Sequence, residues 1–149
     1  MAFFSFKKNQ LMLQHSTNYQ NTFIHIAEDC PTAKGQTPPE KLDKKSIAQM
    51  QFEMLNNNPY KYTCDELLFQ IHATRNELIE SEFEFERTKF FSKGQACFRA
   101  SPLTKRYGFG VHFNEEHKMA LYGAETVEYL NFSSDNQIKQ LKAMRSKKL

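Results

Sequence analysis

The sequence predicts an α+β domain, with a small antiparallel sheet of about four strands and helices packed on at least one face. Three observations predict it. Two segments open with the Ser/Thr-x-x-Glu/Gln signature of a helix N-terminus, and short alternating strands return late in the chain around a hairpin-sized connection. The third is size: 149 residues, 40% apolar and 25% charged, suffice for one hydrophobic core but not for two. The domain is placed at residues 22–149, behind an N-terminal arm at 1–21.

The arm has neither helical nor strand periodicity and is rich in Asn and Gln. Thr22 to Ala27 alternates as a strand, with Ile24 and Ile26 on one face and Phe23, His25 and Ala27 on the other. The following run from Cys30 to Pro39 holds four strong breakers and is read as a loop. Ser46, with Gln49 three residues on, caps a helix whose apolar face is Ile47, Met50, Met54 and Leu55, and which stops at Asn56-Asn57-Asn58-Pro59. Thr63-Cys64-Asp65-Glu66 is a capping box opening a second helix through Leu67, Leu68, Ile71 and Leu78.

Glu80 to Ser92 is read as a third helix, since five glutamates between Glu77 and Glu86 disfavour a strand despite the alternation of Phe83 and Phe85. Three strands follow at Ala96–Ser101, Gly108–Phe113 and Lys118–Gly123, the last two joined by Asn114-Glu115-Glu116-His117. In that hairpin Phe109, Val111 and Phe113 face the core with Met119 and Leu121, while Gly110 and His112 face away. Thr126–Phe132 and Asn136–Met144 are read as short helices.

Composition removes several functions. No stretch approaches the ~20 apolar residues of a membrane-spanning helix, and lysines interrupt the initial phenylalanines before a signal-peptide core forms. Cys30, Cys64 and Cys97 are odd in number and far apart, which fits reduced thiols in the cytoplasm and neither a disulfide framework nor a zinc ribbon. The net charge of +3 is unevenly spread. Segments 88–114 and 136–149 carry basic residues without acids, so the rest of the chain is acidic.

The least ordinary stretch runs from Arg99 to His112. Its Pro-containing turn presents Arg99, Ser101, Lys105, Arg106 and Tyr107, and guanidinium and ammonium groups so placed give charge-assisted hydrogen bonds to an anion. Arg145 in the basic end joins this candidate set. Gly108-Phe109-Gly110 lacks the third glycine and the strand-to-helix context of a dinucleotide fingerprint, so the glycines are read as serving bends or close packing. His112 and His25 fall on the same side of their strands, with Asp29 at a strand end, so His112 and Asp29 form a candidate acid-base pair. No residue pattern calls for a metal or a cofactor.

Asn21-Thr22-Phe23-Ile24, Ala27-Glu28-Asp29-Cys30-Pro31, Asn58-Pro59-Tyr60-Lys61-Tyr62-Thr63, Phe90-Phe91-Ser92-Lys93-Gly94-Gln95-Ala96-Cys97, Arg99 through Gly108 and Lys142 through Lys147 together resemble a small bacterial family defined as a domain of unknown function. The resemblance runs from about Asn18 to Lys148. In that family's pattern the residue between the two glycines is usually Trp; Phe109 keeps the aromatic anchor and loses the indole donor. The resemblance implies one architecture and no activity.

The leading expectation is therefore a non-catalytic binding domain for an anionic small molecule or phosphate. The alternatives are a small hydrolase or transferase using His112 with Asp29 or a cysteine, and a basic protein that contacts nucleic acid without sequence preference. The last has charge behind it but no motif, through Lys139 and Lys142 on one predicted helix face.

Overall fold

The computed structural model describes residues 13–147; the first twelve residues of the expected arm, with Phe3, Phe4 and Phe6, lie outside the described residues. The sheet is built around β1 (Thr22–His25), flanked by β2 (Phe109–Phe113) and β4 (Lys139–Lys142), with β3 (Met119–Gly123) beyond β2 in the order β3-β2-β1-β4. β1 runs antiparallel to β2 and parallel to β4, and β2 and β3 form the antiparallel hairpin expected.

Two of the expected elements change. Phe98–Ala100 is a 3-10 turn, followed by α4 (Pro102–Lys105). Ser101 caps α4 by accepting from Leu103 N, and Pro102 takes the first helical position, where its missing N–H costs nothing. That Ser-Pro start outweighs the brief alternation before it, so residues 96–101 supply no strand. The fourth strand comes instead from the segment read as a C-terminal helix. β1 offers its free edge to Lys139–Lys142, making the sheet mixed and not wholly antiparallel. Exposed Lys139, Gln140 and Lys142 give β4 the polar character of an edge strand. With a period of two, Lys139 and Lys142 point to opposite faces, so the basic helix face expected for nucleic-acid contact does not form.

The other elements follow local signals. α1 (Ile47–Asn57) begins at Ser46, whose side chain accepts from Gln49 N. α2 (Cys64–Arg75) begins with the complete Thr63–Glu66 capping box. A 3-10 turn at Glu80–Glu82 leads into α3 (Phe83–Phe90), and Thr126 caps α5 (Val127–Ser133).

The sheet is covered on both faces. Ile24, Val111, Phe113 and Met119 point to one side and pack with Leu55, Leu67, Ile71, Phe98 and Leu103 into the main core. Phe23, His25, His112 and Tyr122 point to the other, where α5 lays Tyr129 and Phe132 over them. A smaller apolar cluster of Phe69, Ala73 and Phe91 joins α2 to α3.

The described part of the lead-in is tied to α2. Asp65 accepts from Ser16 Oγ at 2.8 Å and from both Thr17 N and Thr17 Oγ1 at 2.7 Å, while Asn18 Oδ1 accepts from Asp65 N at 2.9 Å. The last of these satisfies an amide that the first turn of a helix leaves free, and the others hold Thr17, which is buried, against the Asp65 carboxylate.

Candidate functional site

The Pro102–Tyr107 turn forms one wall of an open groove of about 1080 Å³, whose other wall is the exposed segment 39–46 leading into α1. Each wall is held by hydrogen bonds from its backbone amides. Gln36 N donates to Tyr107 O at 2.8 Å and Arg106 N to Pro102 O at 2.8 Å; opposite, buried Gln49 accepts from Lys41 N at 3.2 Å. Arg75, at the end of α2, closes the end by donating from Nη1 to Lys45 O at 3.1 Å.

Lys41, Lys44, Lys45, Arg75, Lys105 and Arg106 line this groove, and Asp43 is the one acid among its lining residues. Of these cations only Lys45 has a carboxylate partner among the described residues, Glu53 at 2.6 Å. The groove also receives the N-terminal end of α1, whose first turn has no acidic residue to offset the partial positive charge there. Such a surface attracts anions by field and offers donors to hold them.

Of the anion-binding residues expected from sequence, Lys105, Arg106 and Tyr107 line the groove. Ser101 does not: it is buried, capping α4 and donating to Gln51 Oε1 at 2.6 Å. Arg99 and Arg145 belong to a separate clasp at the end of the sheet. Arg99 Nε donates to Lys142 O at 2.8 Å, and Glu28 pairs with Lys142 at 2.8 Å and Arg145 at 3.1 Å. These partners hold the Glu28 carboxyl below its ordinary range, the Lys142 hydrogen bond first.

Sequence reasoning missed Lys41, Lys44, Lys45 and Arg75. A signal was present in Lys41-Leu42-Asp43-Lys44-Lys45 immediately before the Ser46 cap, but the placement of that run opposite residues 102–107 is set by tertiary packing.

His112 and Asp29 are engaged separately and share no hydrogen bond. Asp29 accepts from Ser146 N and Lys147 N, each at 2.9 Å, and the Lys147 bond leads in lowering its carboxyl pKa. His112 does share a sheet face with His25, as the alternation predicts, since Phe23 and His112 are register partners. On that face its Nδ1 meets Tyr60 Oη at 2.8 Å, and Tyr60 Oη meets Tyr122 Oη at 2.8 Å. The imidazole stacks under Phe132 with centroids 4.1 Å apart, and burial lowers its pKa against the opposing charge of Asp135. Burial first, then the bond to Tyr122, raises the Tyr60 hydroxyl well above its ordinary value. This box of aromatic rings holds a neutral histidine in place.

The glycines beside it serve packing, as the sequence reading has it. Gly108 sits at φ +78°, where a side chain is strained and would also strike the Lys34 carbonyl. A Cβ on Gly110 would lie 2.6 Å from ring atoms of both Phe23 and Tyr129. Cys64, at the start of α2, is fully buried and its thiol is pushed up to about 12 by desolvation, so the helix N-terminus does not make it a thiolate. Among the described residues no three metal-binding side chains gather, and no helix is long and apolar enough to cross a membrane.

Fold and site together define an α+β domain with a mixed four-stranded sheet and a cationic groove where the start of α1 meets the turn before β2. The family model for DUF6157, a family of unknown function, matches residues 14–149, and the chain belongs to that family. No curated protein and no solved structure matches it.

Proposed function

We propose that this protein binds an anionic ligand non-catalytically in the groove between residues 39–46 and 102–107. The observation that carries the reading is the set of six cationic side chains facing one acid across about 1080 Å³. The arrangement supplies charge and donors, and among the described residues no hydrogen bond there joins a hydroxyl to a side-chain base. The cytoplasm of a bacterium is the setting this reading assumes; the three free cysteines support its reducing character alone.

Isothermal titration of the full chain against inorganic phosphate, nucleotides and RNA tests it. Arg106→Ala, in a variant shown to be folded, is expected to weaken binding roughly tenfold, the order of one charge-assisted hydrogen bond. Unchanged affinity across that panel would remove the support. A steep fall in polynucleotide binding between low and moderate salt, with no binding of small anions, would favour the nucleic-acid reading instead.

A further inference from the structure

Adjoining the cationic groove is a second, partly open cavity of about 310 Å³, and the two share Ile47, Arg75, Ala100 and Pro102 as a common wall. Its other walls set apolar Leu68 and Ile71 of α2, Phe90, Ala96 and Cys97 among polar Gln51, His72, Asn76, Gln95 and Ser101. Ile47 remains 45% exposed at the junction, an apolar side chain at a charged rim. Arg75 stands there too, held by its single bond to Lys45 O.

Among the described residues several polar groups lining this cavity keep capacity to spare, His72 Nε2 and Gln95 Oε1 as well as Gln51, and Gln51 is the most buried of them. Gln51 is 4% exposed and its Oε1 accepts from Ser101 Oγ at 2.6 Å, but its Nε2 donates to nothing among the described residues. Among the described residues no fully enclosed side-chain nitrogen or oxygen lacks a partner, so that amide keeps access, and Gln51 lines this cavity. A pocket that sets apolar side chains beside placed polar groups suits a small molecule, and this one has room for about ten waters' worth of liquid.

We infer that the ligand is an amphipathic anion: a phosphate or carboxylate head in the cationic groove, joined to a compact apolar body in the 310 Å³ pocket that carries an acceptor for Gln51 Nε2. This rests on the anion-binding reading and adds the body, which phosphate alone lacks. The head's charge is met by Arg75, Lys105 and Arg106, while the body displaces water from Leu68, Ile71 and Phe90.

Calorimetry on the full chain with inorganic phosphate, phenyl phosphate, 4-nitrophenyl phosphate and 4-nitrobenzoate tests the inference. Phenyl phosphate is expected to bind at least about tenfold more tightly than phosphate, the gain from burying roughly 55 Å² of apolar surface. The nitro group, an acceptor for Gln51, adds about threefold or more. 4-Nitrobenzoate against 4-nitrophenyl phosphate shows which head the groove takes. Ala96→Leu, at an exposed rim position of the pocket alone, should abolish the aryl advantage and spare phosphate binding; Gln51→Leu should remove the nitro advantage. Equal affinity for phosphate and phenyl phosphate, both weakened by Arg106→Ala, overturns the pocket inference and leaves the anion reading standing. Aryl binding indifferent to Arg106→Ala, or no binding by any probe, overturns both.

Discussion

Replacing Asp65 with Ala tests how firmly the segment before β1 is built into the domain. Asp65 is 8% exposed and Thr17 is 4% exposed, and the carboxylate takes both the amide and the hydroxyl of Thr17 at 2.7 Å. Truncation leaves those two donors without an acceptor in a place water hardly reaches. At about 1–3 kcal/mol for each orphaned buried group, the expected loss is about 2–6 kcal/mol. Ser16, whose Oγ is the third donor, is exposed, and Ser16→Ala should cost under about 1 kcal/mol because water can take the place of that donor. In urea, with m near 2 kcal/mol/M for a small domain, the Asp65→Ala midpoint should fall by about 1–3 M. A shift no larger than that of Ser16→Ala would refute the reasoning, showing that Thr17 finds water or other partners without loss.

Three further predictions follow from the sheet and its edges. Gly110→Ala should destabilise the protein by about 1–3 kcal/mol, since both rings that meet the new methyl are packed; Gly94→Ala, whose nearest neighbour is His15 Nδ1 at 4.0 Å, should be near neutral in the same thermal melts. His112 is kept neutral by burial, so its stabilising contribution is present above the unfolded value of about 6.5 and is lost as pH falls through the lowered folded value. His112→Phe should flatten stability against pH in that window, and an unchanged profile would contradict the assignment. Glu28 and Asp29 have lowered pKa values, so the clasp on residues 145–147 is present above the ordinary carboxylate range and is lost as pH falls below it. Asp29→Ala should speed hydrogen exchange at the Ser146 and Lys147 amides at neutral pH; protection equal to wild type would show that other contacts hold this segment.

Elements with a signal inside their own few residues were legible in the sequence. Ser46 and Thr63 announce their helices because capping is chemistry between neighbours, and the parity of Val111 and His112 fixes which face each side chain takes. β4 was not legible. Ile138, Leu141 and Met144 carry a helical spacing, yet the backbone partner that makes the segment a strand is β1, far away in sequence. The site divides the same way. Lys105 and Arg106 stand out as a basic turn, whereas their union with Lys41, Lys44 and Arg75, and the loss of Ser101 to a buried cap, depend on how α1 and α2 pack.

The position of β1 has a consequence for how the chain is made. Phe23 and Ile24 are wholly buried in the finished fold, yet Thr22 pairs with Phe113 on one side and Lys139 on the other. At about 5–20 residues per second of synthesis, the hundred or so residues before those partners emerge represent a wait of about 5–20 s. α1 and α2 appear in that interval and can shelter the Ile24 face, but α5, which covers Phe23, is made later than either helix. Until β2 emerges, then, the central strand has two open edges and one bare aromatic face, the kind of exposed surface that chaperones cover on nascent chains.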